Sequence, residues 1–386
     1  MNRLSHRLCN FNTELKQQGL FRQRLGNLIT ASPTPLLNFC SNDYLSLAND
    51  LAVRRAFQRG FSKYAAGSSA SLVVSGYHVV HRDLERAFAA ALNADDALLF
   101  TSGYNANLSI ILLLAKFADH ILIDKAVHAS FYDGLKLATA NYARYLSNIV
   151  ASLQKKLAIL SPSIEAIAIV TETVFSMSGV IAALKDLAQV AKNYDASLII
   201  DEAHAFGVFG PQGLGIGAAV GLTQHEVPLR IITFGKALAH QGAIVVGKGE
   251  WIAALLQAAR PLIYSTAISP ALVYGLLETF AIIRAADARR QKLYQLIDYF
   301  RAEVKASPFK WANSVSPIQQ LQLGCPHKAL CYTNFLYQNG IFCQAIRAPT
   351  VTTKETGLRI VLNYHHKEED ISHLFTTLKK LYDGEC

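Results

Sequence analysis

The chain has 386 residues, of which 51% are hydrophobic and 17% charged, and its formal net charge is +9. This composition supplies a large buried core and excludes an intrinsically disordered chain. Because no run of Lys and Arg resembles a nucleic-acid-binding tract, the charge indicates a generally basic surface, with a few cations for anionic small molecules and no nucleic-acid partner.

Neither the N-terminus nor any apolar stretch predicts a membrane segment. The first residues lack the apolar core of a signal peptide. The most apolar stretch, Ser109 to Ala115, ends at Lys116, far below the roughly 18 residues of a spanning helix. The six cysteines contain no Cys-x-x-Cys pair, which argues against a zinc site and predicts reduced thiols. We therefore expect a soluble, cytoplasmic protein without a metal site.

In chain order, residues 1–45 are polar and predict a helix followed by extended chain. From about Ala97, short apolar runs alternate with amphipathic stretches, of which Ala182–Asp195 has helical spacing. The runs lack polar alternation, as strands covered on both faces do. The predicted strands are Ala97–Phe100, Ile121–Ile123, Ala166–Val170, Leu198–Ile200, Ile231–Thr233 and Ile244–Val246. Strands that alternate with helices predict an α/β fold with a mostly parallel sheet.

The last part of the chain has a different pattern. From Ala271 one long helix is predicted to Ala306, followed by shorter α/β material. This change predicts a smaller C-terminal domain. The expected division is an N-terminal segment at 1–45, a large domain at 46–275 and a small domain at 276–386.

The strongest chemical signal is the pattern Asp-x-x-His after one predicted strand and Thr-x-x-Lys at the end of the next. Ligands of such sheets lie beyond the carboxyl ends of the strands. A buried Asp201 needs a cationic partner, and a protonated pyridine nitrogen is one that lets a ring accept electrons from a carbanion. Lys236 could form an imine with an aldehyde. Alone, Asp201 is equally a helix N-cap and Lys236 is more often a surface lysine, but the combined pattern with His204 favours a pyridoxal-phosphate site.

Two weaker sequence signals for the same site lie earlier in the chain. The segment Leu99–Asn107 ends a strand with Ser and Gly and begins a helix, where backbone N–H groups could bind a phosphate, although an ordinary capped turn has the same sequence. His128 could stack on a flat ring or be a hydrogen-bonded loop histidine. The groups predicted to reach the phosphate are Ser102, Gly103, Tyr104, Thr233, Ser265 and Thr266.

Together these motifs resemble the α-oxoamine synthase family of pyridoxal-phosphate-dependent enzymes over nearly the whole chain. The matching segments are Asn38–Leu45, Ser75–His81, Asp124–Ser130, Thr171–Met177, Asp201–His204, Thr233–Lys236, Tyr264–Thr266 and Arg347–Val351. The resemblance implies the fold type I of pyridoxal-phosphate enzymes, aspartate aminotransferase-like, with a large mostly parallel-sheet domain and a smaller α/β C-terminal domain. It also implies a homodimer and the decarboxylative condensation of an amino acid with an acyl thioester.

The resemblance further implies a role for each site residue. Lys236 would bind the cofactor as a Schiff base and move the α-proton of the substrate. Asp201 would pair with the pyridine nitrogen, His204 with the phenolic oxygen, and His128 with the ring face. The phosphate would be held by Ser102, Gly103, Tyr104 and Thr233, with Ser265 and Thr266 supplied by the partner subunit. The other implied contacts are Ser176 near the phenolic oxygen, Arg359 at the amino-acid carboxylate, Arg347 and Thr350 near the acyl chain, and Arg22 or Arg24 as a basic substrate residue.

Within the family, Ser75–His81 and Arg347–Val351 favour the members that condense L-alanine with a pimeloyl thioester, of coenzyme A or of a carrier protein, in biotin biosynthesis. Members that use glycine or serine with other acyl donors remain alternatives, as does a non-catalytic paralogue. The sequence departs from the family at three places. The stretch Ala66–Leu72, which includes Ala70 and Leu72, loses glycines and a frequent basic residue. The usual glycine after Lys236 is replaced within Ala237–Gln241, and Ser178 stands where aspartate is usual.

Overall fold

The computed structural model describes residues 2–24 and 36–384. They form two compact units. The larger comprises Asn42–Ser176 and Ile181–Gln291, and the smaller comprises residues up to Ser41, Met177–Val180 and the chain from Lys292. The domain boundaries expected after residues 45 and 275 stay predictions.

The described chain alternates strands and helices from residue 96 onward. The strands are β1 (Leu37–Asn38), β2 (Asp96–Phe100), β3 (His120–Asp124), β4 (Tyr142–Tyr145), β5 (Ile167–Glu172), β6 (Ser197–Asp201), β7 (Leu229–Thr233), β8 (Ala243–Gly247), β9 (Ile318–Gln322), β10 (Ile341–Phe342), β11 (Gln344–Ile346) and β12 (Gly357–Val361). The α-helices are α1 (Arg3–Gln17), α2 (Leu51–Lys63), α3 (Val79–Ala91), α4 (Gly103–Phe117), α5 (Ala129–Ala138), α6 (Val150–Leu160), α7 (Leu184–Asn193), α8 (Gly215–Ala219), α9 (Gly249–Ala258), α10 (Arg260–Ile263), α11 (Pro270–Arg284), α12 (Asp287–Ala306), α13 (Pro326–Gln338) and α14 (Glu368–Tyr382).

Seven strands of the larger unit form one sheet in the order β2-β8-β7-β6-β5-β3-β4. Strand β8 runs antiparallel to β2 and β7, and the other neighbouring pairs are parallel. The predicted α/β fold and all six predicted strands are therefore confirmed. The edge strand β4 was not predicted, because only one of its four side chains is buried and it contains no apolar run.

The core of the larger unit fixes where the ends of the strands lie. A buried cluster joins the sheet to α4, α5 and α9, with members such as Phe100, Ile110, Ile123 and Phe131. Burying a large apolar side chain of this kind contributes roughly 1.5–3 kcal/mol. Because β2 and β7 both run antiparallel to β8, the carboxyl ends of β2, β3, β5, β6 and β7 all lie at one edge of the sheet.

The single helix predicted over Ala271–Ala306 is wrong, because the structure contains two helices there, α11 and α12. The Arg290 guanidinium donates to the carbonyl oxygens of Ile283 (2.7 Å) and Arg284 (3.1 Å) at the end of α11, and it pairs with Asp287 at the start of α12. The last carbonyls of a helix have no partner within the helix. Arg290 satisfies two of them, and this contact stabilises the break.

The smaller unit contains a three-stranded antiparallel sheet in the order β11-β12-β9 and a parallel pairing of β1 with β10. Cys40, Cys325 and Cys343 are free thiols. Cys331 is disulfide-bonded, so the prediction of reduced thiols is wrong for that residue. Within residues 2–24 and 36–384, no helix is long and apolar enough to cross a membrane, and no group of three metal-ligating side chains is arranged around a common point.

A carboxyl group is buried on α3. The side chain of Glu85 is 5% exposed, and its oxygens accept hydrogen bonds from the Tyr77 hydroxyl (2.5 Å) and the Leu99 N–H (3.0 Å). Burial is the largest influence and raises the pKa of Glu85 to about 7, although both hydrogen bonds act in the opposite direction.

Glu85→Gln is expected to flatten the pH dependence of stability. Between the ordinary pKa of 4.5 and the folded-state pKa of about 7, the folded chain binds more protons than the unfolded chain. The free energy of unfolding therefore falls as pH rises through this range, by roughly 3 kcal/mol for this group. Thermal denaturation at pH 5 and pH 8 should show a smaller loss of Tm in Glu85→Gln than in the wild type. Glu165→Gln, at an exposed position, is the control, and equal losses in all three proteins would contradict this account.

Candidate active site

Residues that follow five strands meet around a cavity of about 330 Å³ at the carboxyl edge of the large sheet. Nine of the predicted site residues line it: Ser102, Gly103, Tyr104, His128, Ser176, Asp201, His204, Thr233 and Lys236. Residues that are far apart in the sequence and were predicted to form one site therefore do line one cavity.

The remaining predicted residues lie elsewhere. Ser265 and Thr266 are not among the residues that line the cavity, and Thr266 instead pairs with Ser71 in an isolated antiparallel bridge. The predicted substrate residues belong to the smaller unit. Arg22, Arg24 and Thr350 are exposed, Arg347 is half-buried, and Arg359 lies in β12. Their roles stay predictions.

Asp201 ends β6 and is 3% exposed. Its Oδ1 accepts a hydrogen bond from the Ala203 N–H at 2.8 Å, and its Oδ2 accepts one from Asn107 Nδ2 at 3.1 Å. A buried carboxylate is costly without such donors or a cation. Its position at the cavity wall makes it a suitable partner for a positively charged ring nitrogen.

Glu172 lies directly beside Asp201 in the β5–β6 register. It is 2% exposed, its Oε2 accepts from the Ser176 N–H at 2.9 Å, and its Oε1 has no hydrogen-bond partner. Burial first, and then the neighbouring Asp201, raise the pKa of Glu172 well above its ordinary value. Burial and Asp201 therefore both disfavour a second negative charge at Glu172. Sequence analysis did not predict this residue.

His204 and Tyr44 form a second buried polar pair. The Tyr44 hydroxyl lies 2.6 Å from His204 Nδ1, and the two rings meet edge to face. The residues are 160 positions apart in the chain, so no local pattern links them. The contact with Tyr44 fixes the orientation of the His204 ring at the cavity wall.

Four residues predicted to bind the phosphate, Ser102, Gly103, Tyr104 and Thr233, lie at or beside the first turn of α4. Ser102 is the N-cap, and its side chain accepts from the Asn105 N–H at 3.1 Å. The first N–H groups of a helix have no partner within the helix and bind anions well. Thr233 and Lys236 lie next to this turn, with Lys236 Nζ donating to Thr233 Oγ1 at 3.1 Å.

The contact between Gly103 and Thr233 leaves no room for a larger residue. A Cβ atom at Gly103 would lie 2.4 Å from Thr233 Cγ2. Gly103→Ala must therefore rotate Thr233, which moves the hydroxyl that Lys236 contacts. We expect the variant to bind pyridoxal phosphate about tenfold more weakly or worse, corresponding to the loss of roughly one hydrogen bond, as measured by absorbance titration of the cofactor-free chain.

A double variant separates this clash from other effects of alanine. Thr233→Ser removes the clashing methyl group and keeps the hydroxyl. Gly103→Ala combined with Thr233→Ser should therefore recover most of the affinity that Gly103→Ala loses. Equal affinities of the single and double variants would rule out the clash as the cause.

One departure from the family pattern has a visible structural consequence. Ala239, in the glycine-poor stretch after Lys236, has a backbone φ of 56°, a left-handed conformation that favours glycine. Its N–H donates to the carbonyl of Lys236 at 2.8 Å. The turn after Lys236 therefore forms with alanine in place of glycine, and alanine pays a conformational cost in this left-handed backbone conformation.

The cavity residues fit pyridoxal phosphate. A buried carboxylate at Asp201 suits a protonated ring nitrogen, a primary amine at Lys236 suits an aldehyde, and the first turn of α4 suits a phosphate. The buried Asn107 Oδ1 and Glu172 Oε1 have no hydrogen-bond partner, as expected of polar groups at the wall of a ligand site.

Comparisons with known proteins agree with this site. Residues 34–378 match the family model described as aminotransferase class I and II. A protein from Azoarcus sp. (strain BH72) named 8-amino-7-oxononanoate synthase is 40% identical over 99% of this chain and 98% of its own length. One of the same name from Marinobacter nauticus is 39% identical over 95% of this chain and 93% of its own length.

Solved structures give the same result. A serine palmitoyltransferase from S. paucimobilis, solved with PLP and myriocin bound, has a TM-score of 0.85 and 27% identity, covering 89% of this chain and 87% of its own. An 8-amino-7-oxononanoate synthase from Francisella tularensis has a TM-score of 0.79 and 30% identity, covering 91% and 98%. The fold type I architecture and the resemblance to α-oxoamine synthases are therefore confirmed.

Proposed function

The chain belongs to the class I and II aminotransferase family, and we propose that it condenses L-alanine with a pimeloyl thioester to give 8-amino-7-oxononanoate. The observation that carries the proposal is the meeting of Asp201, His204, His128 and Lys236 around one cavity. The near full-length similarity to proteins named for this reaction supports the choice of substrates.

The proposed reaction balances without an oxidant or a reductant. The carbon–hydrogen bond at the α-carbon of alanine breaks first, and the proton goes to Lys236. A carbon–carbon bond then forms between the α-carbon and the thioester carbonyl carbon, and the carbon–sulfur bond breaks to release the thiol. The bond from the α-carbon to the alanine carboxylate then breaks, which releases carbon dioxide. A proton taken up at the α-carbon completes 8-amino-7-oxononanoate.

The cofactor is pyridoxal 5'-phosphate, which when bound supplies an electron-accepting ring that stabilises negative charge at the α-carbon. The Asp201 carboxylate would keep a proton on the ring nitrogen. The Lys236 amine would hold the cofactor aldehyde and, once displaced by the substrate amine, remove and return the α-proton. Thr233 Oγ1 lies within hydrogen-bond distance of Lys236 Nζ and would orient this amine in both tasks.

The substrate residues are proposed on the motif match. Arg359 would bind the carboxylate of alanine through two parallel hydrogen bonds. Thr350 and one basic residue near the N-terminus, Arg22, would contact the acyl part. The net charge of +9 would favour encounter with the phosphates of coenzyme A or with an acidic carrier protein, in a salt-dependent way.

We also propose a homodimer in the cytoplasm. Val74 is 79% exposed and Tyr264 is 73% exposed, and the bridge of Ser71 with Thr266 brings their segments together. Exposed apolar side chains in one area are typical of a protein interface. This surface would place Ser265 and Thr266 at the phosphate site of the other subunit. Sedimentation velocity of the full chain tests the dimer, and a monomer at micromolar concentration would contradict it.

The reaction is tested by a substrate panel. The purified, cofactor-loaded chain is mixed with L-alanine, glycine or L-serine and with pimeloyl, acetyl, succinyl or palmitoyl coenzyme A, and the products are identified by mass spectrometry. We expect 8-amino-7-oxononanoate from alanine and the pimeloyl donor to form fastest. A faster reaction with glycine or serine would instead indicate glycine acetyltransferase, 5-aminolevulinate synthase or serine palmitoyltransferase activity. No product from any pair would favour a non-catalytic paralogue.

A further inference from the structure

His128 stands at the cavity as the N-cap of α5, with one ring nitrogen turned into the protein. Its Nδ1 lies 2.8 Å from the Ser130 hydroxyl oxygen and 3.3 Å from the Ser130 backbone nitrogen. The backbone N–H can only donate, so Nδ1 accepts that hydrogen bond. The direction of the second contact depends on which way the Ser130 hydroxyl points.

Asn107 and Asp201 determine the direction of that hydroxyl. Asn107 is 2% exposed, and its Nδ2 lies 3.1 Å from Asp201 Oδ2 and 3.1 Å from Ser130 Oγ. An ionised carboxylate only accepts hydrogen bonds. The amide nitrogen of Asn107 must therefore face Asp201, since the opposite orientation would place two oxygens against each other. One hydrogen of Nδ2 then goes to Asp201 and the other to Ser130.

This arrangement leaves one direction for the Ser130 hydroxyl. Its oxygen accepts from Asn107, and its hydrogen lies near His128 Nδ1, the acceptor at 2.8 Å. Nδ1 then receives hydrogen bonds from both the hydroxyl and the backbone N–H of Ser130. If Nδ1 carried a proton, this N–H group would face two other donors, the hydroxyl and the backbone N–H of Ser130. The proton of the neutral ring therefore belongs on Nε2.

We propose that Asn107 and Ser130 are positioning residues that hold His128 as the neutral Nε2–H imidazole. In this form His128 presents a flat ring and a hydrogen-bond donor to the cavity, and it has no base to offer there. Protons at the substrate α-carbon are then left to Lys236. The consequence for turnover rests on the proposed function, but the tautomer itself does not.

The charged groups around His128 shift its pKa in opposite directions. Burial among its neighbours is the main influence that lowers the pKa of His128, and Lys236 after β7 adds to it. Asp201 on β6 and Asp133 on α5 act in the opposite direction. Asp201 is the group that Asn107 contacts, so the same amide that pairs with the carboxylate also keeps the proton off the inward side of the imidazole.

The tautomer can be observed directly by nuclear magnetic resonance. The full chain is labelled with ¹⁵N at its histidines and loaded with pyridoxal phosphate, and the His128 signals are identified by their loss in His128→Gln. We expect a protonated Nε2 and a bare Nδ1 at pH 8. A proton on Nδ1 in the wild type would overturn the proposal, and this outcome needs no variant that might fold poorly.

Ser130→Ala tests the positioning role. Loss of the hydroxyl removes one of the two donors to Nδ1, so we expect about a tenfold increase in the proton affinity of His128, one pKa unit. The acid limb of the kcat profile should move to higher pH by the same amount. Ser109→Ala is the matched control, because Ser109 is also buried and its hydroxyl contacts only the Asn105 carbonyl of its own helix.

The results separate this inference from the proposed function. Unchanged His128 titration in Ser130→Ala would overturn the positioning role, whatever the chain catalyses. An Nε2–H tautomer that is lost in Ser130→Ala would support it even if L-alanine and pimeloyl coenzyme A gave no product. In that case the proposed function alone would fail.

Discussion

Lys236→Ala is expected to lower the turnover of L-alanine and pimeloyl coenzyme A by roughly four orders of magnitude, because it would remove both the proposed attachment point of the cofactor and the proposed base. Lys236 is the amine that lines the cavity beside Thr233. Turnover is measured from the thiol released, with variant and wild type both saturated with cofactor.

A chemical readout independent of activity accompanies this test. Borohydride reduction should attach the cofactor to the peptide that contains residue 236 in the wild type and leave it unmodified in Lys236→Ala. Lys155→Ala, which removes an exposed lysine from the middle of α6, should match the wild type in both measurements. Turnover by Lys236→Ala within tenfold of the wild type would show that another residue moves the α-proton.

The sheet was predictable because its strands are buried on both faces. The runs Leu198–Ile200 and Ile231–Thr233 contain no polar alternation, and both proved to be interior strands. Two features depend on contacts that no local pattern contains. The edge strand β4 is defined by pairing with β3, and the break between α11 and α12 is stabilised by Arg290 contacts with carbonyls of the preceding helix.

The predicted residues that line the cavity were easier to identify from the sequence than the residues that hold them in place. Asp201, His204 and Lys236 follow strands, where a ligand site is expected, and all three line the cavity. The roles of Asn107, Ser130 and Glu172 depend on contacts between segments that are distant in the sequence. The one local signal is Asn107, a polar residue in a mostly apolar helix, where a buried hydrogen bond could have been predicted.

Asp201→Asn is expected to lower turnover by about 10³-fold while the cofactor stays bound, because a neutral amide does not keep a proton on the ring nitrogen. The affected step can be isolated without the thioester. Exchange of the α-hydrogen of L-alanine with deuterated water, followed by proton magnetic resonance, should slow by a similar factor. An exchange rate equal to that of the wild type would remove Asp201 from the proton step.

The variant also disturbs a hydrogen bond, and a second substitution separates the two effects. The amide introduced by Asp201→Asn would place its nitrogen against Asn107 Nδ2, or break the contact with the Ala203 N–H. Asp201→Asn combined with Asn107→Asp restores a donor and an acceptor at that contact, so Tm should recover. Turnover should stay low, since the carboxylate then lies on α4 rather than at the end of β6. Recovery of both would mean that the buried charge matters and its position does not.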